Sequence, residues 1–125
     1  MQIILYGIPN CDTVKKARAW LAEQGVPYQF HDFKKAGADP ALLAAWAADT
    51  SWELLLNRRG TTWRALPEAQ RDGVVDADSA IALMAASPSL IKRPVLAVHG
   101  AVHVGFTPEM YAQIFSGAAR DQSAA

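Results

Sequence analysis

A chain of 125 residues, 51% apolar and 19% charged, is long enough for one buried core and reads as one domain. Twelve basic residues balance twelve acidic ones, so the charge gives no reason to expect nucleic acid or a membrane surface as partner. No apolar run reaches membrane-spanning length, and the short apolar N-terminal stretch, with no basic region before it, reads as a strand rather than a signal peptide. A single cysteine cannot form an internal disulfide, and the expected setting is a reducing, cytoplasmic one.

Residues 2–6 form a nearly continuous apolar run, the pattern of a strand buried in a parallel sheet. Gly7 and Pro9 then punctuate a turn. Helical spacing follows over 14–24, with Val14, Ala17 and Leu21 on one face, and Asp12 or Thr13 can serve as its N-cap. Gly25 ends this helix and Pro27 blocks its resumption. Residues 28–33 alternate apolar and polar and read as a second strand, completing a βαβ unit with parallel strands.

The chain then becomes helical. Asp39-Pro40 is a cap followed by proline at the first helical position, and the alanine-rich 41–48 continues it. Short helices are expected over 52–56 and 67–71, with a polar loop over 57–62 between them. Asp76 caps a helix to about 85, ended by Ser87-Pro88. Strand signals return in 94–98 and 102–105, and the tight His99-Gly100-Ala101 connection makes them an antiparallel hairpin. Thr107-Pro108-Glu109 starts a last helix to about 115, stopped by Gly117. The order βαβ, helical block, ββα is that of a thioredoxin-like α/β fold. Its four-stranded mixed sheet carries a helical insertion at about 39–86. The expected domain is 1–117, with 118–125 as a frayed tail.

Cys11 lies where the first strand turns into the first helix. Free cysteine is often just a small core residue. At a helix start, however, backbone N–H groups without intrahelical partners, together with the helix dipole, stabilise the thiolate, the nucleophilic form. Lys15, four residues on, adds a positive charge on the same face, whereas Asp12 opposes it. The helix terminus and Lys15 are expected to win. His31, His99 and His103 do not form a metal-ligand spacing.

Four motifs in order carry a family likeness: Ile8-Pro9-Asn10-Cys11 with Lys15-Lys16-Ala17; Leu55-Leu56-Asn57-Arg58-Arg59-Gly60; Ser89-Leu90-Ile91-Lys92-Arg93-Pro94; and Val104-Gly105-Phe106. Together they resemble the ArsC/Spx family, which comprises arsenate reductases, Spx transcription regulators and YffB-like thiol reductases. The likeness runs from about residue 2 to 115 and implies the same fold. Arsenate reductases of this type carry a histidine where this chain has Gly7. They also carry three oxyanion-binding arginines, at the places here held by Asn57, Arg93 and Phe106. Two of those three are uncharged here, which argues against an arginine clamp on a tetrahedral oxyanion. Spx regulators carry a second cysteine at the place of Val14, so their two-thiol switch is absent.

The YffB-like branch resembles this chain best, through Ile8-Pro9-Asn10-Cys11-Asp12-Thr13 and Arg59-Gly60-Thr61-Thr62-Trp63. It implies a glutathione-dependent monothiol reductase in which Cys11 forms a mixed disulfide. Glutathione would be a co-substrate, with no bound cofactor and no metal. The partner disulfide would be a small molecule or a protein. The resemblance further implies that Pro94 follows a cis bond facing Cys11 and that Arg93 projects toward the thiol. Arg58, Arg59, Asn57 and Lys15 are the further candidates for holding glutathione. Arsenate reduction and Spx-like binding to the RNA polymerase α subunit are the alternatives; no other feature of the sequence selects the latter.

Overall fold

The structure, a computed structural model, describes residues 2–116. Gly117 and the expected tail lie outside the described residues. Four strands, β1 (Ile3–Gly7), β2 (Gln29–Asp32), β3 (Val95–Val98) and β4 (Ala101–Val104), form one sheet in the order β2-β1-β3-β4. β1 pairs parallel with β2, as the βαβ pattern requires, and antiparallel with β3. β3 and β4 form the expected hairpin, closed by the two-residue turn His99-Gly100. This four-stranded mixed sheet with helices on both faces is the thioredoxin-like fold.

Strand alternation sorts the core into two layers. Leu5, Leu96 and Val98 face α1 (Asp12–Glu23) and α8 (Pro108–Ile114), packing on Ala17, Leu21, Tyr111 and Phe115. Tyr6 and Val95 face the opposite way, toward Leu43, Trp46, Leu55, Met84 and Ile91. That second layer holds the helices between β2 and β3: α2 (Phe33–Ala36), α3 (Pro40–Asp49), α4 (Trp52–Leu55), α5 (Thr61–Ala65), α6 (Glu68–Asp72) and α7 (Ala77–Ala86). The tryptophans pack as aromatic neighbours: Trp46 sits edge-on to Tyr6 at 4.7 Å, and Trp20 edge-on to Tyr111 at 5.7 Å. No helix among the described residues is long and apolar enough to cross a membrane.

Helix ends follow local chemistry. α1 closes in a Schellman motif: Val26 N–H donates to Leu21 O at 2.9 Å and Gly25 N–H to Ala22 O at 3.1 Å, with Gly25 at φ +68°. Asp39, Ser51, Asp76 and Thr107 each cap the helix that follows.

Several elements differ from the sequence expectation. α1 begins at Asp12, and its N-cap is Cys11 rather than Asp12 or Thr13. The turn before it is tight: Cys11 N–H donates to Ile8 O at 3.1 Å. Helical geometry is therefore reached one residue early. Phe33 belongs to α2 rather than the end of β2, because Asp32 accepts from the Lys34 N–H at 2.9 Å and turns the chain. Thr61 and Thr62 lie in α5, whose N-cap is Gly60, so the polar loop is shorter than its composition suggested. A further 3-10 turn, Pro88–Leu90, follows α7 and leads toward β3.

Candidate active site

Cys11 sits at the N-cap of α1, with extended backbone (φ −89°, ψ 127°) and its carbonyl already accepting from the Lys15 N–H at 2.9 Å. The side chain is partly exposed, so an external reactant can reach the sulfur. Partial burial pushes the Cys11 thiol up. The Val14 N–H, the Arg93 guanidinium with its charge, and the Thr13 N–H, all directed at the sulfur, outweigh it, and the thiol lies below its ordinary value. No capping hydrogen bond of standard geometry reaches the sulfur. The two first-turn N–H groups act as dipoles directed at it.

Arg93 reaches this place from the other end of the chain. Tyr6 is registered opposite Val95, so Gly7, which ends β1, lies across from Pro94. The Arg93–Pro94 bond is cis, as the family resemblance implies. Pro94 is buried, and its carbonyl accepts from Gly105 N–H at 2.8 Å, tying the start of β3 to the end of β4. The Arg93 guanidinium donates through Nη1 to Ser89 O at 2.7 Å, with a longer contact of 3.5 Å to Ile91 O. Its Nε is buried without a hydrogen-bond partner. Arg93 is thus held from behind by backbone carbonyls while its charge acts on the thiol. The sequence reading missed Ser89 as that anchor. Its only signal is the four-residue spacing to Arg93, just after Ser87-Pro88, which reads as the end of a helix.

The Asn57 loop is attached to the same segment. Leu56 and Ile91 form an isolated antiparallel bridge, with Asn57 N–H donating to Leu90 O at 2.8 Å and Lys92 N–H to Leu55 O at 2.7 Å. Asn57 Oδ1 accepts from Arg59 N–H at 3.2 Å, so the amide braces its own loop, the commoner use of asparagine there. Arg58 lies over the Trp52 ring at 5.9 Å, and Arg59 is exposed. Lys15 is exposed as well, and the charge drawing the thiol down comes from Arg93 rather than from Lys15, Arg58 or Arg59. Water screens an exposed ammonium, whereas Arg93 is half-buried and anchored.

Val14 and Phe106, two of the positions that set this chain apart within the resemblance, are filled by packing. Val14 is fully buried and lies directly against Gly7. Phe106 packs edge-on to Tyr111 at 4.6 Å. His31 is engaged with Gly37 O at 2.9 Å. Among the described residues no group of three or more His, Cys, Asp or Glu side chains is arranged to hold a metal. A separate open groove of about 650 Å³, lined by Tyr6, Leu42, Trp46, Asp49 and Val102 among others, does not include Cys11 or Arg93.

A low-lying thiol at a helix start, beside an anchored arginine and a cis-proline segment, defines a cysteine site on a thioredoxin-like sheet. A family model described as the ArsC family matches residues 6–114, and the chain belongs to that family. An uncharacterised protein of Haemophilus influenzae is 39% identical over 114 residues, spanning 91% of this chain and 99% of that protein. A solved YffB protein is 52% identical, with a TM-score of 0.86 over 90% of this chain and 97% of its own. An arsenate reductase (ArsC) related protein from Brucella melitensis is also 52% identical, with a TM-score of 0.73 over 92% of this chain and 95% of its own.

Proposed function

We propose that the protein is a glutathione-dependent monothiol reductase with Cys11 as nucleophile. The observation that carries the reading is a lowered thiol beside Arg93 in a chain with no second cysteine. The Cys11 thiolate attacks one sulfur of a disulfide made by glutathione and a substrate thiol. The S–S bond breaks, a Cys11–glutathione disulfide forms, and the substrate leaves as a thiolate that takes up a proton. A second glutathione thiolate then attacks the glutathione sulfur, freeing Cys11 and releasing oxidised glutathione. Glutathione supplies the thiol the chain lacks. Arg93 favours the thiolate, and the accessible part of its half-buried guanidinium would meet a carboxylate of glutathione. Arg58, Arg59, Asn57 and Lys15 would border the bound tripeptide. The substrate is a small-molecule or protein disulfide, the compartment is the reducing cytoplasm, and neither nucleic acid nor membrane is a partner.

Arsenate reduction is disfavoured by the same residues. Phe106 is packed on Tyr111, and Asn57 spends its amide oxygen on its own loop, leaving Arg93 alone of the three clamp positions. Among the described residues, no feature singles out the RNA polymerase α subunit as a partner. The test is intact mass after incubation with oxidised glutathione. One glutathione adduct is expected, mapped to Cys11 and released by reduced glutathione. A protein that stays unmodified, or an adduct that reduced glutathione cannot remove, would overturn the proposal.

A further inference from the structure

Gly7 ends β1 and precedes the Ile8–Cys11 turn. Its φ is not among the positive ones, so conformation does not demand glycine there. Space does. A Cβ built on Gly7 would lie 2.8 Å from Val14 Cγ2 and 3.1 Å from Val14 Cγ1. Real Cβ contacts are not made at the shorter of these distances, so one partner has to move. Val14 cannot easily do so by itself. It is fully buried, and a β-branched residue in a helix has one strongly preferred χ1. Relief would come from shifting the first turn of α1 away from β1.

That first turn is the one that faces the sulfur. With Cys11 as N-cap, Val14 is the third helical residue, and its N–H is one of the donors left without an intrahelical carbonyl. Its side chain packs on Gly7 while its backbone faces Cys11. We propose that Gly7 is a positioning residue for Cys11: lacking a side chain, it seats Val14 against the end of β1 and so sets how closely the first-turn N–H groups approach the thiol. The inference rests on Cys11 being the reactive group but not on glutathione being its partner. It also links two positions seven residues apart in the chain that the sequence presents as unrelated, Gly7 and Val14.

The test is the pH dependence of Cys11 alkylation by iodoacetamide in four proteins: wild type, Gly7→Ala, Val14→Ala and Gly7→Ala/Val14→Ala. Gly7→Ala should raise the thiol value, slowing alkylation at neutral pH roughly threefold or more, since one pKa unit is a tenfold change in thiolate population. Val14→Ala should titrate close to wild type while melting lower because of the cavity it leaves. The double variant, which has no Cγ methyls to meet the new Cβ, should titrate as wild type. That rescue separates positioning from a general loss of stability. A Gly7→Ala protein titrating as wild type, or a double variant titrating as Gly7→Ala does, overturns the inference. If Gly7→Ala does not fold, a folded double variant with the wild-type titration supports it, and a double variant that also fails to fold overturns it. Absence of a glutathione adduct in the wild type would remove the proposed function yet leave these four titrations readable.

Discussion

The turn at Cys11 and the loop at Asn57-Arg58-Arg59 both carry family motifs, yet they are built differently. At the turn, backbone groups face the reacting atom: Cys11 is locked by hydrogen bonds to Ile8 and Lys15, and Val14 is wedged against Gly7. At the loop, the backbone is equally well tied, through Asn57 to Leu90 and Arg59 to Asn57, but the two guanidinium groups point to solvent or lie over Trp52. Fixed N–H groups act on the thiol continuously. Exposed arginines act only on a ligand that comes to them, at the cost of ordering a long side chain. The proposed chemistry therefore rests on the turn, and the proposed recognition on the loop.

Removing the sulfur breaks the comparison most sharply. Cys11→Ser should abolish the glutathione adduct entirely, read by intact mass, while the fold survives by circular dichroism. Next comes the one side-chain charge built into the turn. Arg93→Ala should raise the Cys11 thiol value and slow its alkylation at neutral pH by about tenfold, within the range for losing a charge-assisted contact. Arg93→Lys should recover only part of this, because a single ammonium cannot both donate to Ser89 O, as Nη1 does, and turn a second donor group toward the thiol. By contrast, Arg58→Ala and Arg59→Ala should leave the thiol titration within about twofold of wild type, yet weaken saturation by glutathione in a turnover assay. Asn57→Ala should lower stability by about 1 kcal/mol, the usual worth of one hydrogen bond, measured by urea unfolding.

The thiol also leaves a signature in stability. Its value is lower in the folded protein, so the unfolded chain binds the proton more tightly. The stabilisation is present above the unfolded thiol value and is lost as pH falls through the folded one. Cys11→Ser should flatten the stability profile in that window and nowhere else. A small opposite-end effect belongs to His103, which burial pushes down although Asp49 pulls it up. Its contribution is present above the ordinary histidine value and fades as pH falls through the lowered one, so His103→Gln should reduce acid-side loss in urea titrations.

Much of this was legible in the chain. The continuous run before Gly7, the helical spacing of Val14, Ala17 and Leu21, and the cap-then-proline pairs at Asp39-Pro40 and Thr107-Pro108 located β1, α1, α3 and α8 to within a residue or two. Cys11 at a strand-to-helix turn was visible for the same reason, since turn residues and periodicity are local signals. What stayed hidden is non-local. Nothing near Arg93 says that Ser89 O will hold it, and only the family resemblance, not the local pattern, points its charge at the thiol. The Leu56–Ile91 bridge joins segments 35 residues apart and has no strand signature, being a single pair. The Gly7–Val14 contact is likewise legible only once the strand and helix are in place. Short helices such as Phe33–Ala36 are too brief to show periodicity and depend on one cap.

The central claim is that the turn, through its N–H groups and Arg93, holds the Cys11 thiol below its ordinary value. The most direct measurement is the pH dependence of Cys11 alkylation in the wild-type protein and in Arg93→Ala. The account predicts a wild-type thiol titrating clearly below the free value of about 8.5, with Arg93→Ala displaced upward toward it. A wild-type thiol titrating at or above that value, or one that Arg93→Ala leaves unmoved, would contradict it.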